Sequence, residues 1–205
     1  MQPYRIAIFA SGSGSNFQAI VDQVQKGKLD VSIELLVCDR PQAYVVERAK
    51  EAKVPVFAFR PKEYANREAY EALILKELQD RQVDLVVMAG YMRIITNVLV
   101  EPFFGRMINI HPSLLPSFPG VRAIEQAVEY GVKQTGVTVH FVDGGLDSGP
   151  IIAQRAVEIH EHETAESLAE RIHAAEHVLL PQVIRWLREG RVSMDGRRVA
   201  FGCRF

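Results

Sequence analysis

Cysteine is scarce in this chain, with only Cys38 and Cys203 among 205 residues. So few thiols exclude a disulfide framework as the source of stability at this length. Cys38 reads as a small hydrophobe ending a buried strand, and Cys203 as part of a loose tail. A surplus of either charge is also missing. Lys and Arg number 24 against 25 Asp and Glu, a formal net charge of −1. No basic field draws such a surface to nucleic acid or anionic lipid, so a substrate must be held by local groups. No apolar run approaches the roughly 18–20 residues that span a bilayer. The opening Met1-Gln2-Pro3-Tyr4-Arg5 runs straight into a strand, without the features of a signal peptide. These absences point to a cytoplasmic protein that is long enough to bury a substantial core. There is no internal repeat, low-complexity tract or linker.

Short apolar runs alternate with amphipathic ones. Ile6–Phe9, Ile33–Val37, Val54–Phe57 and Leu85–Met88 have strand length and composition. Between them, Phe17, Ile20, Val21 and Val24 form one helical stripe, and Tyr70, Leu73, Ile74 and Leu78 a second. This alternation predicts an α/β fold with right-handed crossovers and a doubly wound, mostly parallel, Rossmann-like sheet. In the C-terminal half, Val137–Val142 and Ile151–Val157 follow each other across a Gly-rich loop, which predicts some antiparallel pairing. A long helix from Thr164, a plausible N-cap, to about Gly190 carries the stripe Leu168, Ile172, Ala175 and Leu179. Pro181 is expected to kink it. The chain reads as one domain, 1–205, with halves 1–100 and 101–190 and a tail 191–205.

Three segments carry chemistry. Ser11-Gly12-Ser13-Gly14-Ser15-Asn16 follows the first strand and opens the first helix. Backbone N–H groups and the helix dipole there suit a phosphate, and Ser or Asn can cap the helix or add donors. Phe17 replaces the third glycine of a dinucleotide fingerprint, and no Gly-Lys-Ser/Thr follows, so neither common nucleotide motif applies. A plain capped turn is the competing reading.

Met107–Ser113 ends an apolar run with Asn109 and His111 on one side of a strand, and Pro112 stops it. A polarising amide beside a titrating ring is the equipment for acyl or formyl transfer. Asp143-Gly144-Gly145-Leu146-Asp147-Ser148-Gly149-Pro150 is a loop able to bring a carboxylate to a neighbouring strand end. A carboxylate within about 4–6 Å of an imidazole favours the charged ring. Such a ring can relay protons, and Asn109 can donate to a developing oxyanion. Taken singly, His111 and Asp147 also fit a structural histidine and a turn former.

The motifs Ser11–Asn16, Ala89–Ile94, Asn109–Pro116, Gly136–Val142 and Leu146–Pro150, in this order and spacing, resemble the phosphoribosylglycinamide formyltransferases, the folate-dependent glycinamide ribonucleotide transformylases. The resemblance runs from the first strand to His177 on the last helix. It implies a formyltransferase-type fold, with a nucleotide-binding first half and a catalytic, folate-binding second half. It also implies transfer of a formyl group from 10-formyltetrahydrofolate to the amine of 5-phosphoribosylglycinamide in purine biosynthesis, without a metal. Asn109, His111 and Asp147 match the family's catalytic residues. Gly14, Ser15 and Asn16 match its phosphate turn, and Glu176 a ribose-contacting carboxylate. Met92, Arg93, Ile94 and Ile95 match the backbone segment holding the pterin, and Asn109 matches a further residue on the folate. Asp143, Gly144, Gly145, Leu146 and Asp147 match the loop over it, and Arg67 a cation on the folate side. His140 resembles a supporting, site-lining histidine. Ser117 and Val121-Arg122 depart from common family residues, which bears on substrate affinity rather than reaction type. The resemblance is silent on monomer against homodimer.

Other readings compete. A formyltetrahydrofolate hydrolase would share Asn109, His111 and Asp147 but carry an added N-terminal regulatory domain. Methionyl-tRNA formyltransferase would need a C-terminal tRNA-binding domain and a more basic surface. His173-Ala-Ala-Glu176-His177 fits a zinc peptidase pattern, with only Glu189 and Asp195 downstream as further acidic candidates for a third ligand. His160–Glu163 reads as a solvated helix lead-in. A non-catalytic nucleotide-binding module would use the glycine turn and leave Asn109, His111 and Asp147 idle.

Overall fold

The computed structural model describes residues 3–202. The main sheet has seven strands in the order β3-β2-β1-β4-β5-β6-β7. The chain divides into two compact units between Asn109 and Ile110, inside β5. Cys203 lies outside the described residues.

In the first unit, β1 (Arg5–Phe9), β2 (Ser32–Cys38), β3 (Val56–Ala58), β4 (Leu85–Met88) and β5 (Met107–His111) pair in parallel. Strand β1 lies between β2 and β4, so the winding reverses there. Ligands of open α/β sheets bind beyond the carboxyl ends of strands at such a reversal. The segments after β1 and β4 are Ser11–Asn16 and Ala89–Ile95. Ile6, Ile8 and Phe9 on β1 and Leu36 on β2 are fully buried, as strands covered on both faces require. Cys38 ends β2 in the core, as its apolar surroundings in the sequence suggest.

Helix α1 (Ser15–Gln25) buries Phe17, Ile20 and Val21. Its N-cap is Gly14 in the left-handed region, without a side-chain cap, which corrects the expectation of Ser or Asn capping. Ser15 and Asn16 already belong to the first helical turn. Helix α2 (Tyr44–Glu51) packs its Val45 against this turn, and Val45 N–H donates to the Gly12 carbonyl at 3.1 Å.

Helix α3 (Arg67–Asp80) starts from Asn66, whose side chain accepts the Ala69 N–H at 2.8 Å. Tyr70, Ile74 and Leu78 are buried, but Leu73 is 46% exposed, which corrects the second stripe. At 3.6 residues per turn Leu73 lies off the centre of that stripe. Glu71 takes the inward place, and Thr96 satisfies its carboxylate. The short helix α4 (Asn97–Val100) follows, with Thr96 as its N-cap.

In the second unit, α5 (Ala123–Tyr130) leads to β6 (Gln134–Phe141) and β7 (Ile151–Glu158), which pair antiparallel as their short connection predicts. Helix α6 (Ala165–Arg188) is capped by Thr164 and buries Leu168, Ile172, Ala175 and Leu179. It is continuous through the buried Pro181. The expected tail contains a hairpin, β8 (Val192–Asp195) and β9 (Arg198–Phe201), and Phe201 meets the Trp186 ring edge-on at 5.0 Å.

A Cβ at Gly14 would stand 2.4 Å from Val45 Cγ2, on a residue with φ of +73°. Gly14→Ala should therefore lower unfolding stability by about 2–4 kcal/mol, combining left-handed strain with overpacking. Denaturant unfolding checks this, and a midpoint equal to the parent's would contradict the packing described.

Candidate active site

The candidate residues fall into two groups, one in each unit. Gly14, Ser15, Asn16, Arg67, Met92 to Ile95 and Asn109 lie in the first; His111, His140, Asp143 to Asp147 and Glu176 lie in the second.

The second group contains a compact cluster. His111, the last residue of β5, presents Nδ1 to Asp147 Oδ2 at 3.4 Å. Both side chains are at least nine-tenths buried. The Gly120 N–H donates to the same carboxylate oxygen at 2.7 Å. His111 Nε2 meets the Phe118 carbonyl at 2.9 Å, and a carbonyl can only accept, so this nitrogen carries hydrogen. Both ring nitrogens thus face acceptor oxygens.

His140, on β6, brings Nε2 to 3.9 Å from Asp147 Oδ1. Its Nδ1–H donates to the Phe141 carbonyl at 2.8 Å, and burial pushes its pKa below the usual 6.5. Two histidines beside one carboxylate therefore have different environments. His111 is sandwiched between acceptors, while His140 is biased towards the neutral ring.

The backbone is shaped around this carboxylate. Asp147 sits at φ of +51°, in the left-handed region that Asp tolerates better than most residues. In the same loop Asp143 Oδ1 accepts from Gly145 N–H at 3.0 Å and Ser148 Oγ–H at 2.7 Å, so Asp143 orders the loop from within. Leu146 is 58% exposed. Gly149 lies so close to the Phe141 backbone that a Cβ would overlap its carbonyl oxygen.

The segment after His111 is fixed by Thr138. Its Oγ1 donates to the Ser113 carbonyl at 2.7 Å and accepts the Leu115 N–H at 3.0 Å. Gln154 Nε2 adds bonds to the Leu115 carbonyl and Thr138 Oγ1, both at 2.9 Å. Ser113 Oγ donates to the Ser117 carbonyl at 2.5 Å. These supports were not read from the sequence, nor was Gly120. The Pro119-Gly120 pair is a turn signal that pointed there.

In the first unit, the glycine turn opens α1 and is braced from α2, where Arg48 Nε–H donates to the Ser13 carbonyl at 2.9 Å. Asn109 is half-buried on β5, in register with Met88, and two residues before His111. Met92 and Ile94 are exposed, Ile95 is buried, and Arg67 is exposed at the first turn of α3.

Glu176 is buried on α6. His173 on the same helix is exposed, and among the described residues no three His, Cys, Asp or Glu side chains are grouped to hold a metal. His160, Glu161 and His162 are exposed, and Glu163 pairs with Arg171 at 2.9 Å. No helix among the described residues is long and apolar enough to cross a membrane.

The formyl transferase family model matches residues 4–184, and the chain belongs to that family. The chain is 52% identical over 183 residues to the phosphoribosylglycinamide formyltransferase of Bacillus subtilis (strain 168), an overlap of 89% of this chain and 94% of that one. Among solved structures, it resembles glycinamide ribonucleotide transformylase 1 from Symbiobacterium toebii with a TM-score of 0.94 and 46% identity, over 97% of this chain and 94% of that one. It also resembles a formyltetrahydrofolate deformylase from Pseudomonas syringae, at TM-score 0.90 and 27% identity, over 98% of this chain and 66% of that one.

His140 gives a pH test. A histidine held neutral in the fold takes up its proton on unfolding below its reference pKa of 6.5. Its burial costs nothing above that pH and lowers stability as pH falls through 6 towards the depressed folded value. His140→Gln should therefore lose less stability than the parent between about pH 7 and 5. Urea unfolding at the two pH values measures the difference, and an equal or larger loss in the variant would contradict the buried neutral ring.

Proposed function

We propose that the protein transfers the formyl group of 10-formyltetrahydrofolate to the primary amine of 5-phosphoribosylglycinamide, a step of purine biosynthesis. The observation that carries this reading is the buried His111–Asp147 pair at 3.4 Å. It lies at the end of the strand bearing Asn109, in a formyl transferase chain. Identity of 52% to a relative named for this reaction supports the choice of acceptor.

In this reading Gly14, Ser15 and Asn16 hold the phosphate by backbone donors at the start of α1, and Glu176 takes the ribose hydroxyls. The backbone of Met92 to Ile95 and the loop Asp143 to Asp147 take the pterin. Arg67 meets a glutamyl carboxylate of the folate tail.

The amine nitrogen attacks the formyl carbon and the carbonyl π electrons move to oxygen. Asn109 donates its amide N–H to this oxyanion. His111 donates Nε2–H, exchanging its bond with the Phe118 carbonyl for one with the substrate. Asp147 holds the charged ring and orders a water through which the amine proton passes. The bond from carbon to the folate nitrogen then breaks, the carbonyl re-forms, and that nitrogen ends protonated. A proton is moved and none is lost. Neither a nucleophilic side chain nor a metal is called on. Holding both reactants in a productive geometry contributes up to about 7–11 kcal/mol of the barrier reduction.

Absorbance of the deformylated folate, followed with and without the ribonucleotide amine, tests the proposal. Turnover that requires the amine is expected. Turnover without it would identify a hydrolase instead, and none with either would leave a binding module. Asn109→Ala should lower kcat by about 10²–10³, the usual loss for one oxyanion donor. Asp147→Asn should lower it by about 10² and shift the pH–rate profile, with little change in fold. A variant at Asp147 with the parental rate and profile would remove that residue from the mechanism.

A further inference from the structure

Beyond the carboxyl ends of β1, β2 and β4, three segments distant in the chain meet at one carboxylate. Asp39 directly follows β2, and its side chain is wholly buried. Its Oδ1 accepts the Ser11 Oγ–H at 2.5 Å, and its Oδ2 accepts Arg93 Nε–H at 2.7 Å. Ser11 Oγ in turn accepts the Met92 N–H at 2.9 Å, and Ser11 N–H donates to the Gly90 carbonyl at 3.0 Å. The start of the segment after β4 is thus fixed through both Ser11 and Arg93.

Its far end is fixed by a second buried carboxylate. Glu71 accepts the Thr96 N–H at 3.0–3.1 Å and the Thr96 Oγ1–H at 2.5 Å. Between these anchors Met92 and Ile94 are 61% and 53% exposed, while Tyr91 and Ile95 are buried. Arg93 Nε is held by Asp39, and on either side of it the segment exposes the two apolar side chains Met92 and Ile94. A buried charge is a poor device for stability alone, since a well-packed apolar replacement is often as stable. It does fix a backbone in one place.

We propose that Asp39 is a positioning residue for the formyl-folate donor, acting through Ser11 and Arg93 to set the Met92–Ile95 backbone. This rests on the reading of that segment as the pterin-binding one. Beyond Ser11, the glycine turn has its own supports, with Val45 N–H on the Gly12 carbonyl and Arg48 on the Ser13 carbonyl. Loss of the Asp39 charge should therefore loosen the folate side and spare the ribonucleotide side.

Asp39→Asn keeps the shape of the side chain and places an amide where Arg93 needs a carboxylate. In this variant the folate KM should rise about tenfold, the scale of one lost charge-assisted hydrogen bond. The ribonucleotide KM, and kcat at saturating folate, should stay within about threefold of the parent. Amide exchange at Met92 should quicken about tenfold or more, as its acceptor loses its own anchor. Asp39→Ala should enlarge both effects; if it does not fold, Asp39→Asn carries the test. Unchanged folate KM, or both KM values rising together, would overturn the assignment while leaving the parent's activity intact. A parent without folate turnover would instead remove the functional reading, and this inference with it.

Discussion

A carboxylate gripped on one oxygen by a backbone N–H and an imidazole is the constraint around which the second unit is arranged. Asp147 Oδ2 has the Gly120 N–H at 2.7 Å and His111 Nδ1 at 3.4 Å. To reach them, the residue adopts a left-handed backbone, its loop is stiffened by Asp143, and Gly149 passes against the Phe141 backbone without room for a side chain. The other side of the pair is prepared as carefully. Thr138 and Gln154 pin the strand's continuation, which in turn offers the Phe118 carbonyl to His111. Buried polar groups are expensive unless hydrogen-bonded, and here the Gly120 N–H and the Phe118 carbonyl supply partners to the carboxylate and the ring.

The same economy of parts appears in the first unit, with different chemistry. Glycine at position 14 lets α2 approach the turn that opens α1. Two buried carboxylates, Asp39 and Glu71, hold the segment after β4 at its two ends. Because β1, β2 and β4 run parallel, the loops that follow them leave from the same carboxyl edge of the sheet. Rigid anchors beneath an exposed apolar segment are what a binding surface for a flat ring requires, since a preordered backbone avoids the cost of ordering it on binding.

Much of this was legible in the residues because it rests on periodicity. The apolar runs Ile6–Phe9 and Leu85–Met88 lie within β1 and β4, and the stripe Leu168, Ile172, Ala175 and Leu179 faces inward on α6. The antiparallel pair β6–β7 followed from two strand patterns separated by a loop too short for a crossover. Short elements escaped notice. Helices α2 and α5 have eight residues each, little more than two turns. The β8–β9 hairpin announced itself only by Asp195-Gly196. Leu73 misled because an apolar residue looked inward by type, whereas Glu71 takes the inward place through its bonds to Thr96. Of the candidate site, the approach of Asp147 to His111 could be posed from the sequence only as a condition. The Gly120 amide, Thr138 and Asp39 act through backbone geometry and long-range hydrogen bonds, for which a linear pattern has no period.

The central claim is that the imidazole–carboxylate pair serves transfer of a formyl carbon to an amine and not to water. Nuclear magnetic resonance of a reaction between a carbon-13-labelled formyl donor and a nitrogen-15-labelled ribonucleotide amine tests it at the bond that forms. The account predicts a one-bond carbon–nitrogen coupling in the product, growing as the donor is consumed. Labelled formate accumulating in its place, with the amine unchanged, would contradict it.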